Sequence, residues 1–284
     1  MSTLSNSLDI RPVAGAIGAE ITGVDLRELD GPAVAAIRRA WLDHCVIFFR
    51  DQHLTPAQLV AFARRIGEPV EYPFLKGLDG FPEITPVVKL EHERVNFGGI
   101  WHSDTAYLER PPMGSMLLAR EVPPQGGDTL FANMYLAYET LSSGMRRLLD
   151  GLVGVNSSAR ADVSKTREDR LKDAAREDAA REYVAEHPVV RTHPETGRKA
   201  LYVNRGHTAR FAGMAEAESA PLLDFLFARA SDTAGIHLPL PLAGRLAGAV
   251  GQSLRPALPA QRLSRLPPGH APRDLGGGSA AIAF

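Results

Sequence analysis

Cysteine is nearly absent: Cys45 is the only one in 284 residues. No intrachain disulfide can form, and no thiolate cluster can hold a metal. Net charge is also missing, since 32 basic and 33 acidic side chains leave −1. That balance gives no electrostatic footing for nucleic acid or for an anionic membrane surface. No apolar run approaches the ~18 residues of a bilayer-spanning helix, so no membrane is expected as a partner. The opening stretch from Met1 to Pro12 lacks a basic segment leading into an apolar one, so no secretory leader is expected and a cytoplasmic location is. The rest is ordinary for a globular chain, with 44% hydrophobic and 23% charged residues. No composition shift marks a linker between two cores.

Periodicity supplies a coarse outline. Val34, Ile37, Trp41 and Leu42 recur at helical spacing, and Val46-Ile47-Phe48-Phe49 then reads as a strand buried on both faces. Thr55-Pro56 supplies a cap and a first-turn proline for a helix whose apolar face is Leu59, Phe62, Ala63 and Ile66. Short strands are predicted at Ile84 to Val88, Met116 to Ala119 and Thr129 to Ala132. A helix is predicted from Tyr135 to Leu152, and another from Glu218 to Ala230. Pro188 to Arg191 and Ala200 to Val203 read as strands joined by a turn at Pro194 to Gly197. The charge-dense block from Arg160 to Glu186 reads as a solvated helical face, with a lid over a site as the competing reading. Helices in the first third followed by many short strands suggest an α+β chain, a β-sandwich or jelly roll carrying flanking helices.

The chemistry-bearing feature is Trp101-His102-Ser103-Asp104. On an extended strand, residues two apart face the same side. An imidazole nitrogen and a carboxylate oxygen would then stand together, as two members of a 2-His-1-carboxylate facial triad for Fe(II) do. Taken alone, His-x-Asp is common by chance. His187 and His193 flank a strand beside prolines and are expected to satisfy local hydrogen bonds, while His207 is a candidate to line a pocket.

The wider sequence resembles the Fe(II)- and 2-oxoglutarate-dependent dioxygenases of the taurine and 2,4-dichlorophenoxyacetate dioxygenase (TauD/TfdA) family. The resemblance is carried by Gly15 to Leu26, Phe48-Phe49-Arg50-Asp51-Gln52, the His102 motif, Pro123-Pro124-Gln125-Gly126-Gly127-Asp128-Thr129 and His187 to Pro194, and it persists to about Thr233. It implies a double-stranded β-helix of jelly-roll type. It makes His102 and Asp104 iron ligands and Thr129 a hydroxyl donor to the 2-oxoglutarate carboxylate. O2 is the other cosubstrate, and succinate, CO2 and a hydroxylated small organic acid, sulfonate or carboxylate, are the products. Tyr72, in Pro69-Val70-Glu71-Tyr72, matches a tyrosine that helps recognise the sulfonate in taurine-type enzymes. The histidine expected near it is missing, and Asn96-Phe97-Gly98-Gly99 places glycines just ahead of Ile100-Trp101. Taurine itself is therefore not implied, and a homo-oligomer stays open.

The resemblance divides the chain into a dioxygenase domain at 1–233 and an unrelated tail at 234–284. The family leads one to expect Trp-Asp-Asn, a third iron-binding histidine, and eleven residues later an arginine for the distal carboxylate of 2-oxoglutarate. The tail has none of these. It carries seven prolines (239, 241, 256, 259, 267, 268 and 272) and a single aromatic residue, Phe284, whereas central strands exclude proline and favour branched and aromatic side chains. Reading bases two and three of each codon with the first base of the next resolves the conflict. From Ala234 the shifted codons can spell PEFTCRFRW, and from Val250 they can spell WDNRCVQHYPLNDYQGYRRVMHRVT. The histidine falls on the codon beginning in Ala257 and the arginine on the one beginning in Pro268, at the family spacing. A frameshift near Thr233–Ala234 is inferred. The chain as written is then expected to lose its C-terminal strands, the third ligand and the arginine. The alternative is a non-catalytic jelly-roll binding protein, whose tail should show patterned hydrophobic residues. A zinc hydrolase built on the same pair lacks any further ligand motif.

Overall fold

A computed structural model of the chain describes residues 8–87, 99–120, 129–160, 181–233, 235–240, 246–251, 260–264 and 279–283. Strands β1 (Asp9–Pro12) and β2 (Ala19–Thr22) form an antiparallel ribbon. Helix α1 (Gly31–His44) starts where the Asp30 carboxylate accepts the Ala33 N–H at 2.7 Å, a side-chain cap worth about 1 kcal/mol. It stops at Cys45, whose φ of 66° turns the chain into β3 (Ile47–Arg50), parallel to β2. Helix α2 (Pro56–Ile66) opens with a reciprocal capping box between Thr55 and Gln58, as its sequence predicts.

The pleat of β3 explains its unbroken apolar run. Ile47 and Phe49 enter one core with Ile37, Trp41, Leu59 and Phe62 of α1 and α2. Val46 and Phe48 enter a second core with Phe131, Met134, Tyr135 and Phe211. Phe49 meets Phe62 edge-on at 6.0 Å, and Phe48 meets Phe131 at 6.2 Å. The strand is thus buried between helices on one side and the rest of the barrel-like interior on the other.

Downstream come β4 (Ile84–Val87), β5 (Ser115–Ala119) and β6 (Thr129–Asn133). The helix predicted over Tyr135–Leu152 is two helices, α3 (Met134–Glu139) and α4 (Ser143–Leu149). The Ser142 hydroxyl accepts the Met145 N–H at 3.2 Å and restarts the second one. A serine prefers that capping role to a helix interior, and Gly144 lowers the propensity to continue. Next are β7 (Val153–Ser157), β8 (Val184–Pro188), the hairpin β9 (Val190–Thr192) and β10 (Lys199–Leu201), β11 (Thr208–Phe211) and α5 (Glu216–Asp232). Of the charged block, residues 161–180, and with them the helix or lid expected there, lie outside the described residues.

The tail departs from expectation. Its strands are not lost: β12 (His237–Leu240), β13 (Leu246–Gly251), β14 (Ala260–Ser264) and β15 (Ser279–Ala283) all pair with earlier ones. The larger sheet runs β1-β2-β3-β13-β5-β15-β4, and a smaller one runs β12-β6-β14. Backbone groups pair whatever the side chain, so a chain with the right reach can fill the gaps in a sheet. The residues doing so are unusual. Central β13 reads Leu-Ala-Gly-Ala-Val-Gly with register shifts against both neighbours, and β15 reads Ser-Ala-Ala-Ile-Ala. Pro239 sits on β12, which has one partner strand among the described residues and so tolerates a missing N–H.

Candidate metal centre

His102 and Asp104 converge. The imidazole Nε2 lies 3.1 Å from Asp104 Oδ1. The local route differs from the simple strand expected, because His102 forms a bridge and Asp104 lies in a turn, which runs on into the one closed where the Leu108 N–H donates to the Thr105 carbonyl at 2.9 Å. Thr105 has φ of +50°, a conformation that costs a β-branched residue about 1–3 kcal/mol.

Each of the two side chains is tied at its far atom. His102 Nδ1 lies 2.7 Å from the Ile100 carbonyl, which can only accept, so Nδ1 carries a proton and Nε2 is the nitrogen turned toward Asp104. Asp104 Oδ2 accepts from the Ser115 hydroxyl at 2.6 Å. At 3.1 Å the two atoms can share a proton, or, with the proton gone, a metal ion. Two ligands ~2.1 Å from one ion and at right angles stand ~3 Å apart. The donor chemistry therefore fits a divalent metal, with these two as ligands. Among the described residues no group of three or more His, Cys, Asp or Glu could hold one.

The family model for taurine catabolism dioxygenase TauD, TfdA family matches residues 9–242. The chain belongs to the TauD/TfdA family. The chain is 38% identical over 228 residues to an alpha-ketoglutarate-dependent sulfate ester dioxygenase of Pseudomonas putida, covering 77% of this chain and 73% of that one. It is 32% identical over 234 residues to an (S)-phenoxypropionate/alpha-ketoglutarate-dioxygenase of Sphingobium herbicidovorans, covering 78% and 79%. A crystal structure of a taurine dioxygenase from Burkholderia xenovorans superposes with a TM-score of 0.75 at 32% identity, over 98% of this chain and 89% of that one. TauD/TfdA enzymes are 2-oxoglutarate-dependent dioxygenases that use Fe(II), 2-oxoglutarate and O2.

In this TauD/TfdA chain, the candidate metal pair abuts an aromatic cluster. The His207 ring lies 6.2 Å from that of His102 and 4.8 Å from that of Tyr107. Tyr107 in turn packs on Phe74 at 5.6 Å and Tyr183 at 6.2 Å. Tyr72, predicted to contact substrate, joins through a hydrogen bond between its hydroxyl and that of Tyr107 and through its ring against Phe74. Burial first, then the neighbouring Tyr72 hydroxyl, keeps the Tyr107 phenol protonated.

His207 is fixed from behind. Its N–H donates to Asn204 Oδ1 at 2.8 Å, the Asn204 N–H to Thr208 Oγ1 at 3.0 Å, and Thr208 Oγ1 to Asn156 Oδ1 at 2.7 Å. Between them the Gly206 N–H donates to the Trp101 carbonyl at 3.0 Å. A Cβ on Gly206 would stand 2.9 Å from His102 Cβ, so only glycine lets this loop lie against the ligand. Burial, then the charge of His102, pushes the His207 imidazole down to about 3, with Asp104 opposing. The ring is neutral, and its Nδ1 is buried without a hydrogen-bond partner.

A pH effect follows. Unfolded histidine takes up a proton below ~6.5, whereas folded His207 does so only near pH 3. Stability is therefore full above the unfolded value and falls as pH drops through the window from ~6.5 to ~3, by up to ~1.4 kcal/mol per pH unit. His187 and His193, also lowered by burial, act in the same direction. His207→Phe is expected to flatten the fall of thermal midpoint between pH ~6.5 and ~4. An unchanged slope would remove His207 as a cause.

Of the two histidines expected to bond locally, His193 does so and His187 does not, since its partner is 79 residues away in sequence. His187 Nε2 meets the Leu108 carbonyl at 3.0 Å, and His193 Nδ1 accepts the N–H groups of Glu195 and Thr196 in the hairpin turn. Thr129 is buried at the first residue of β6, in register with Leu240 and Ser264, and Gly126-Gly127-Asp128 before it lie outside the described residues. Ser115, Tyr107, Phe74 and Tyr183 have no motif of their own in the sequence and emerge only from the fold.

Proposed function

We propose that this TauD/TfdA-family chain derives from an oxygenase that hydroxylates a small organic acid with an apolar body, a sulfonate, sulfate ester or carboxylate, on a double-stranded β-helix scaffold. The observation that carries this is the facing pair His102 Nε2 and Asp104 Oδ1, 3.1 Å apart and each anchored at its other polar atom. When bound, Fe(II) with 2-oxoglutarate supplies the oxidative decarboxylation that yields succinate and CO2 and places oxygen on the substrate. The chain's own residues hold and orient. His102 and Asp104 supply a neutral donor and an anionic one to the metal. The Thr129 hydroxyl donates to the cosubstrate carboxylate, in keeping with its place in the family motif.

Tyr72, Phe74, Tyr107 and Tyr183 pack their rings together next to the pair, an apolar surrounding that suits the hydrophobic part of the substrate. Relatives named for sulfate esters and for phenoxypropionate set the range of acids. Residues 234–284 are read in the wrong frame, in support of which the shifted codons restore the family segment at its spacing and central β13 and β15 are built mainly of small residues. The 284-residue polypeptide then retains two iron ligands and lacks the third, together with the arginine for 2-oxoglutarate.

The test is succinate release under Fe(II), 2-oxoglutarate and O2 with taurine, an alkyl sulfate and an aryloxypropionate. It is run on the chain as written and on one whose frame is shifted at Ala234. Stimulation by none of the three acids in the shifted chain would overturn the substrate class. Tight acid binding without turnover in both chains would favour a binding protein instead.

A further inference from the structure

We propose that Ser115 is a positioning residue that presents Asp104 to the metal through a single oxygen. The inference rests on the reading of His102 and Asp104 as ligands. The Ser115 hydroxyl donates to Asp104 Oδ2 at 2.6 Å, within the 2.5–2.7 Å range of O–H···O⁻ bonds, which are about twice as strong as neutral ones. Oδ1 is the oxygen that faces His102 Nε2.

Ser115 stands on a firm base. It is buried at the head of β5, and its backbone is in register with Gly251 on one side and Ala283 on the other. Asp104 has no such base, because it lies in a turn next to strained Thr105. An aspartate carboxylate rotates in a broad, two-fold torsional well. The Ser115 donor on Oδ2 makes the two oxygens inequivalent and holds Oδ1 toward His102. The Ile100 carbonyl does the same for the imidazole by holding Nδ1. An outer partner on each ligand is the arrangement that fixes a metal site, and losing such a partner costs about 10–100-fold in metal affinity.

The experiment is a Mn(II) titration into the full chain, carried to millimolar metal and read from the electron paramagnetic resonance of the free ion. It compares the parent with Ser115→Ala, Ser115→Thr and Asp104→Ala, and thermal midpoints report folding. Ser115→Ala is expected to weaken binding by about 10–100-fold. Ser115→Thr, which keeps the hydroxyl, should stay within about threefold, and Asp104→Ala should lose the site. Parental affinity in Ser115→Ala alongside loss in Asp104→Ala would overturn the role of Ser115 and leave the metal reading standing. Equal weakening in the alanine and threonine variants would assign the effect to side-chain volume and overturn it too. Parental affinity in Asp104→Ala, or no binding by the parent at millimolar metal, would overturn the metal reading and this inference with it.

Discussion

The 284-residue polypeptide is expected to form little or no succinate from 2-oxoglutarate, and the same gene read in the shifted frame from Ala234 is expected to do so readily. On the reading proposed above, two losses would compound in the chain as written. An arginine fork matched to a carboxylate is worth on the order of 2–5 kcal/mol when its removal strands a buried charge. That alone corresponds to roughly 30- to several-thousand-fold in cosubstrate affinity. The missing histidine would leave Fe(II) on two protein ligands where three are needed to fix its open positions. The combined effect should exceed about a thousandfold in turnover at fixed 2-oxoglutarate. Succinate measured on purified proteins, with intact mass fixing which tail each carries, decides the matter. Robust turnover by a mass-verified 284-residue chain would mean that the tail supplies what the shifted frame was inferred to supply.

In the frame-restored chain, His102→Ala and Asp104→Ala are each expected to abolish decarboxylation, because each would remove one of the proposed metal ligands. Thr129→Ala should behave differently. It deletes one hydrogen bond of about 1 kcal/mol, so the KM for 2-oxoglutarate should rise about fivefold with kcat little changed. The contrast separates a metal ligand from a cosubstrate contact, which a uniform loss of fold would not do. Steady-state kinetics against 2-oxoglutarate, with circular dichroism to confirm folding, is sufficient. A His102→Ala protein that decarboxylates like its parent would sink the oxygenase reading.

How far the sequence could be read depended on the range of the interactions. The caps at Asp30 and Thr55 and the double-sided burial of β3 follow from residues within one turn or one pleat, and they were legible. The break at Ser142 was missed because apolar periodicity ran across it, while a single hydroxyl decided the outcome locally. His102 and Asp104 could be paired from their spacing, yet the geometry that joins them is a bridge and a turn with Thr105 at positive φ, where an extended strand was expected. Ser115, Tyr107 and Gly206 reach the site from separate segments, and no short-range pattern marks them. The strands of the tail lay beyond reach for another reason: their residues argue against β structure, and only the vacancies in the surrounding sheets call for it.

Those vacancies bear on how the protein is made. Strand β5 has two neighbours, β13 and β15, and both come from the last forty residues or so of the chain. At a synthesis rate of ~5–20 residues per second, β5 waits on the order of ten seconds on the ribosome with neither edge paired. Through that interval its Ser-Met-Leu-Leu-Ala segment is a template for any passing strand. The nascent chain's demand for chaperones is therefore set by its final stretch, and an error confined to the tail is felt first at the centre of the sheet.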